Sequence, residues 1–154
     1  MQTSQHRPRQ LTIERDKLIV GNHSLEDARL SGWCYGPELG QAPVFLVVGG
    51  ITAPPFPFGD GVAGDDGTVS EGWWSALHDP HLIDPTRHTV LCPAWPGNGS
   101  TWRAFADAGP PPSLSVMDLA DLVAEWLDGI GCAQPVTYIG ASLGGLVGIA
   151  LAVR

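Results

Sequence analysis

Hydrophobic and polar positions follow two different patterns along this chain. Apolar and polar residues alternate over residues 11–20, which predicts one strand or a hairpin, and over residues 25–35, which predicts a second antiparallel edge strand. A continuous apolar run at residues 43–48 is typical of a strand buried on both faces, and residues 89–92 are predicted to form a second buried strand. Residues 136–139 are predicted to form a short apolar strand. The pattern therefore predicts a sheet with an antiparallel beginning and a parallel centre.

Helical spacing is clearest over residues 115–130. Ser115 can cap this helix, with Asp118 three residues on, and the apolar positions fall on one face: Leu119, Leu122, Val123, Trp126, Leu127 and Ile130. A second helix follows residues 136–139 and is apolar nearly all round, so we expect it to be buried between other elements. A short helix is predicted from Gly72 to Leu77. This order of elements predicts an α/β fold.

Composition narrows the class of protein. The chain has 154 residues, 44% hydrophobic and 16% charged, which predicts one packed domain over 1–154 with residues 1–10 as a loose tail. A net charge of −8 disfavours nucleic acid and anionic membrane as partners. The three cysteines are widely spaced, so we expect neither a disulfide framework nor a metal site. No long apolar run or leader pattern is present, which favours a cytoplasmic protein.

The candidate chemistry lies between the last predicted strand and the last helix. Residues 140–144 read Gly-Ala-Ser-Leu-Gly and fit the G-x-S-x-G nucleophile elbow. In such a turn Ser142 is exposed in strained backbone geometry, and Gly140 and Gly144 let strand and helix approach without Cβ clashes. The helix start and the N–H of Leu143 would face an oxyanion forming beside Ser142. The alternative is an ordinary tight strand–helix turn.

A serine nucleophile also needs a second oxyanion donor and a base. Gly49-Gly50 follow the strand at 43–48, and the N–H of Ile51 is the candidate donor, unless the two glycines simply turn the chain. No Asp, Glu or His follows Ser142, and all five histidines lie upstream. His78 and His81 are three residues apart, but one pair cannot complete a zinc site, so a solvated surface is favoured over a metal pair.

Several segments together resemble the homoserine O-acyltransferases of the α/β-hydrolase superfamily, as far as the N-terminal half of that family extends. The resemblance covers roughly residues 43–154. The matching segments occur in the order of the family: the oxyanion loop at 49–53, Gly-Trp-Trp at 72–74 with 82–87, the Gly-Ser-Thr loop at 98–101, the helix at 114–131 and the elbow at 140–145.

This resemblance implies an α/β-hydrolase fold that is truncated at its C-terminal side. It implies that Ser142 takes an acyl group from acetyl-CoA or succinyl-CoA, a co-substrate rather than a bound cofactor, and passes it to the hydroxyl of L-homoserine in methionine biosynthesis. The backbones of Ile51 and Leu143 would supply the oxyanion donors. The acid and histidine of the family would lie beyond this sequence, so the chain alone is expected to be inactive; a homodimer of the complete protein is compatible with the resemblance. The alternatives are an esterase or related hydrolase using Ser142, and a truncated fragment without catalysis.

Overall fold

The computed structural model describes residues 8–58, 72–74, 82–96 and 113–154. Within these ranges the strands are β1 (Arg9–Val20), β2 (His23–Tyr35), β3 (Val44–Val48), β4 (Thr89–Pro93) and β5 (Val136–Gly140), and the helices are α1 (Val116–Gly129) and α2 (Leu143–Ala152). The strands form one five-stranded sheet in the order β1-β2-β4-β3-β5. The predicted α/β class is confirmed.

The first two strands form a long antiparallel hairpin. Val20 lies opposite His23 and Arg9 lies opposite Cys34, so residues 11–20 are one strand of a hairpin rather than a whole hairpin. Gly21 lies in the connecting turn at φ +56°, a conformation that glycine adopts without steric cost. β2 then pairs antiparallel with β4, which joins the hairpin to the parallel part of the sheet.

The parallel part of the sheet carries the site. β3 pairs parallel with β4 on one side and with β5 on the other, and Val48 lies opposite Gly140. The carboxyl ends of β3 and β5 therefore meet at one edge of the sheet. Four of the five side chains of β3 are at most 2% exposed: Val44, Leu46, Val47 and Val48. The prediction from its continuous apolar run is thus confirmed.

Helix α1 packs on one face of the sheet through a buried tryptophan. Trp126 is 1% exposed, and its indole N–H donates to the carbonyl of Leu11 at 3.1 Å. Ser115 and Asp118 form a complete capping box at the helix start, as the sequence predicts. The opposite face of the sheet is covered by an apolar cluster against which Trp73 and Trp74 pack, and these two residues form a turn rather than a described helix.

Helix α2 is covered on one side only by the residues that the structure describes. Val147 and Ala150 are buried, whereas Leu146 is 54% and Ile149 66% exposed. Among the described residues, α2 contacts α1 and β5, so the expected burial between other elements is met on one face of the helix only. Neither described helix combines the length and apolarity needed to cross a membrane. The tail predicted over residues 1–10 is too long, because β1 begins at Arg9, and residues 1–7 lie outside the described residues. Also outside them are the helix end near Leu77, most of the loop at 98–101, His78 and His81.

Candidate active site

Ser142 has an unusual backbone at the junction of β5 and α2. Its φ is +55° and its ψ is −121°, and its side chain makes no capping hydrogen bond at the helix start. Such a conformation costs a non-glycine residue about 1–3 kcal/mol and persists only where the surroundings enforce it. The side chain is exposed, so the hydroxyl is accessible at the carboxyl edge of the sheet.

The two elbow glycines are required by close backbone contacts. A Cβ added at Gly144 would lie 2.1 Å from the carbonyl oxygen of Val48 and 2.8 Å from that of Gly49. A Cβ added at Gly140 would lie 2.5 Å from the carbonyl oxygen of Gly144. No side chain fits at these distances, so glycine at these two positions allows α2 to start directly against the ends of β3 and β5.

One backbone N–H at the start of α2 remains available to a ligand. The N–H of Gly144 donates to the carbonyls of Gly49 at 3.1 Å and Ala141 at 2.9 Å. The N–H of Leu143 is the first of the helix, and first-turn N–H groups have no acceptor inside their own helix. It also lies at the positive end of the helix dipole, which favours negative charge beside Ser142.

The loop after β3 approaches the same serine. A Cβ added at Gly50 would lie 3.5 Å from Cβ and 3.8 Å from Oγ of Ser142. A turn begins at Gly50, whose carbonyl accepts from the N–H of Ala53 at 3.0 Å. The side chain of Ile51 is 70% exposed, so its backbone is what this residue brings to the site. The structure thus brings the segments of Ile51, Ser142 and Leu143 together.

Two aromatic residues support this site, and sequence reasoning assigned neither to it. The hydroxyl of Tyr138 donates to the carbonyl of Gly144 at 2.6 Å. Its ring packs against Gly148, where an added Cβ would lie 2.4 Å from a ring carbon. Burial raises the pKa of Tyr138, which keeps the phenol protonated as a donor. The buried indole of Trp95 donates to the carbonyls of Gly49 at 3.2 Å and Gly50 at 3.0 Å. The apolar strand predicted at residues 136–139 did not indicate that Tyr138 contacts a helix.

Neither histidine of the described residues is placed to act as a base for Ser142. His88 precedes β4, and the register sets Thr89 level with Val44 and Val136, at the amino end of the parallel strands. That end lies about 13 Å along the sheet from Gly140, at about 3.3 Å per residue. His23 contacts the carbonyl of Ser113 at 3.2 Å. Among the described residues, no group of three or more His, Cys, Asp or Glu could hold a metal ion.

A sheet with a parallel centre, and a strained serine between strand and helix, define the α/β-hydrolase fold. No protein-family model matches the chain. The serine O-succinyltransferase of Xanthomonas axonopodis pv. citri (strain 306) is 36% identical over 102 residues, which are 60% of this chain and 26% of that protein. The L-serine/homoserine O-acetyltransferase of Streptomyces lavendulae is 35% identical over 93 residues, 54% of this chain and 25% of that protein.

The solved structures agree on the fold. The crystal structure of homoserine O-acetyltransferase from Staphylococcus aureus matches with a TM-score of 0.77 at 21% identity, and the match covers 96% of this chain and 43% of that one. The resemblance to the homoserine O-acyltransferases is thereby confirmed, through relatives that are serine and homoserine O-acyltransferases. The matched segments amount to about a quarter of the length of the curated relatives.

Proposed function

We propose that this chain carries the nucleophile of an O-acyltransferase that moves an acyl group from acyl-CoA to the hydroxyl of L-serine or L-homoserine. The observation that carries the proposal is the exposed Ser142 at φ +55°, at the start of an uncapped helix, in a chain related to O-acyltransferases. With homoserine as the acceptor, the reaction would serve methionine biosynthesis.

The proposed reaction has two steps that use the same oxyanion donors. The hydroxyl oxygen of Ser142 attacks the thioester carbonyl and gives its proton to a general base. The N–H groups of Leu143 and Ile51 donate to the resulting oxyanion. The C–S bond breaks, the CoA thiolate leaves and takes up a proton, and an acyl-serine remains. The hydroxyl of the amino acid then attacks this ester and loses its proton to the base. The bond between the acyl carbon and Oγ of Ser142 breaks, and the base returns a proton to Ser142. We assign no residue to the base.

The names of the relatives support two amino acids as acyl acceptors and two acyl groups for transfer. One relative is a serine O-succinyltransferase and the other an L-serine/homoserine O-acetyltransferase. The acceptor proposed from the sequence, homoserine, is therefore widened to include serine. One relative transfers a succinyl group and the other an acetyl group, so both acetyl-CoA and succinyl-CoA are tested as donors.

Transfer and hydrolysis share the first step, so the test must follow the fate of the acyl group. The full-length protein is mixed with acetyl-CoA or succinyl-CoA, and with serine, homoserine or neither. A transferase gives one burst of CoA per active site without the amino acid, and steady turnover to an O-acyl amino acid with it. Release of free acid at the same rate with and without an amino acid would overturn transfer and favour the hydrolase. Ser142→Ala should abolish CoA release in every case.

A further inference from the structure

Trp95 lies two residues beyond β4, beside the loop that approaches Ser142. Its side chain is 5% exposed, and its indole nitrogen lies 3.2 Å from the carbonyl oxygen of Gly49 and 3.0 Å from that of Gly50. Its backbone is anchored as well, because the N–H of the preceding Ala94 donates to the carbonyl of Ser31 at 2.9 Å. A buried donor just beyond the neighbouring strand β4 therefore contacts two successive peptide groups of this loop.

The contact with Gly50 fixes the direction of another group. The carbonyl of Gly50 and the N–H of Ile51 belong to one peptide plane, and no described peptide bond is cis. In a trans peptide the C=O and N–H bonds point in opposite directions. The indole of Trp95 and the N–H of Ala53 each donate to this carbonyl at 3.0 Å. Hydrogen bonds that fix the carbonyl of Gly50 therefore also fix the N–H of Ile51, which points to the opposite side of the peptide.

The loop needs such a support because of its composition. Gly49 and Gly50 have no side chains to pack, and glycine has the widest choice of backbone conformations. The carbonyl of Gly49 accepts from Trp95 and also from the N–H of Gly144 at 3.1 Å, which connects the loop to the start of α2. Hydrogen bonds to a carbonyl also polarise the peptide, which strengthens the N–H of Ile51 as a donor.

We propose that Trp95 is a positioning residue whose indole N–H holds the Gly50–Ile51 peptide with the N–H of Ile51 towards the oxyanion beside Ser142. The proposal rests on the proposed function, because it presupposes Ser142 as the nucleophile. Trp95 does not contact the reacting atoms and acts through the peptide. Its loss should therefore slow the reaction of Ser142 without weakening ground-state binding of the reagent.

The test uses covalent labelling of the full-length protein by a p-nitrophenyl alkylphosphonate, with Trp95→Phe against Trp126→Phe. The control also removes an indole N–H that donates to a backbone carbonyl, at 3.1 Å from the carbonyl oxygen of Leu11 in β1 rather than from one of the loop. Loss of one oxyanion donor slows reactions about 100- to 1000-fold, so loosening one should lower the limiting labelling rate about tenfold. The half-saturating reagent concentration should stay unchanged. Trp126→Phe should keep the wild-type limiting rate, and equal rates for the two variants would overturn the proposal.

A double-variant comparison separates positioning from general packing. Ile51 is the second residue of its turn, where proline is well accepted, so Ile51→Pro removes the N–H and keeps the turn. Trp95→Phe should cost nothing further in this background, and a further tenfold loss would contradict a role through Ile51. If Trp95→Phe fails to fold, benzothienylalanine at position 95 replaces only the N–H by sulfur, and a wild-type limiting rate there would overturn the proposal. Labelling that survives Ser142→Ala would instead overturn the proposed function.

Discussion

The two helices of the described chain both follow a serine, but they begin in opposite ways. Ser115, before α1, has φ −79° and ψ 169°, and its side chain accepts from the N–H of Asp118. Asp118 in turn accepts from the backbone N–H of Ser115 at 2.7 Å. Ser142, before α2, has φ +55° and ψ −121° and makes no side-chain cap. The first turn of α1 is capped by side chains, whereas the first turn of α2 has no side-chain cap.

The difference shows that the backbone, rather than the residue type, decides what a serine does at a helix start. At α1 the extended backbone turns the hydroxyl inwards, and the serine contributes stability. At α2 the strained backbone leaves the hydroxyl exposed, and the strain is balanced by the close approach of Gly144 to Val48 and of Gly140 to Gly144. The elbow thus depends on close backbone packing, whereas α1 depends on its side chains.

The largest expected effect concerns reactivity. Ser142→Ala should abolish covalent labelling of the full-length protein by a serine-directed phosphonate, because Ser142 is the one serine with positive φ among the residues that the structure describes. Ser115→Ala is the matched control and should be labelled at the wild-type rate. Intact-protein mass spectrometry measures both. Undiminished labelling of Ser142→Ala would contradict the assignment of Ser142 as the nucleophile.

Packing at the elbow is tested by two adjacent glycines of α2. Gly144→Ala should destabilise the protein by at least about 2 kcal/mol, because its Cβ would lie 2.1 Å from the carbonyl of Val48. Gly145→Ala should stabilise by up to about 1 kcal/mol, because its Cβ would meet only the carbonyl of Gly140, at 3.7 Å. Urea unfolding of the two variants measures both. Equal free energies of unfolding would contradict the close approach of α2 to β3.

The cap of α1 gives a smaller effect. Ser115→Ala removes the hydroxyl that accepts from Asp118 and should lower the free energy of unfolding by about 1 kcal/mol. Ser115→Asp supplies another capping oxygen and should recover most of this loss. Urea unfolding at neutral pH checks both variants. A wild-type value for Ser115→Ala would mean that the capping box does not stabilise α1.

The smallest effect is a pH dependence at the same cap. Hydrogen bonds from the hydroxyl and backbone N–H of Ser115 lower the pKa of Asp118. A depressed pKa contributes stability above the unfolded value of about 3.9, and this contribution is lost as the pH falls through the folded value. The unfolding free energy of Asp118→Asn should therefore fall less steeply with acidification than that of the wild type. Equal slopes of unfolding free energy against pH for the variant and the wild type, between pH 5 and pH 2, would contradict this assignment.

The sequence pattern predicts the helices and strands of the described chain and the nucleophile elbow. The five strands, α1 and its cap, and the glycines around Ser142 are local features, because each depends on neighbours within a few residues. The reason for glycine at 140 and 144 also followed from the motif, and the contacts of both with backbone carbonyls agree with it.

Long-range contacts could not be predicted in the same way. Trp95 bonds to a carbonyl 45 residues away in sequence, and the order of strands that places β4 beside β3 has no signature in the alternation of residues. The apolar pattern of α2 predicts burial, but it does not indicate which neighbours cover each side of the helix. A base for Ser142 cannot be assigned from the described residues, because His88 lies at the opposite end of the parallel strands.

The most direct test of the account is to trap the acyl group on the protein. The full-length protein is mixed with succinyl-CoA or acetyl-CoA without an acceptor, quenched in acid, digested and analysed by mass spectrometry. We predict one acyl group on the peptide that contains Ser142, and its removal when serine or homoserine is added before the quench. An O-acyl amino acid formed at the wild-type rate by Ser142→Ala, or an acyl group on another residue, would contradict the account.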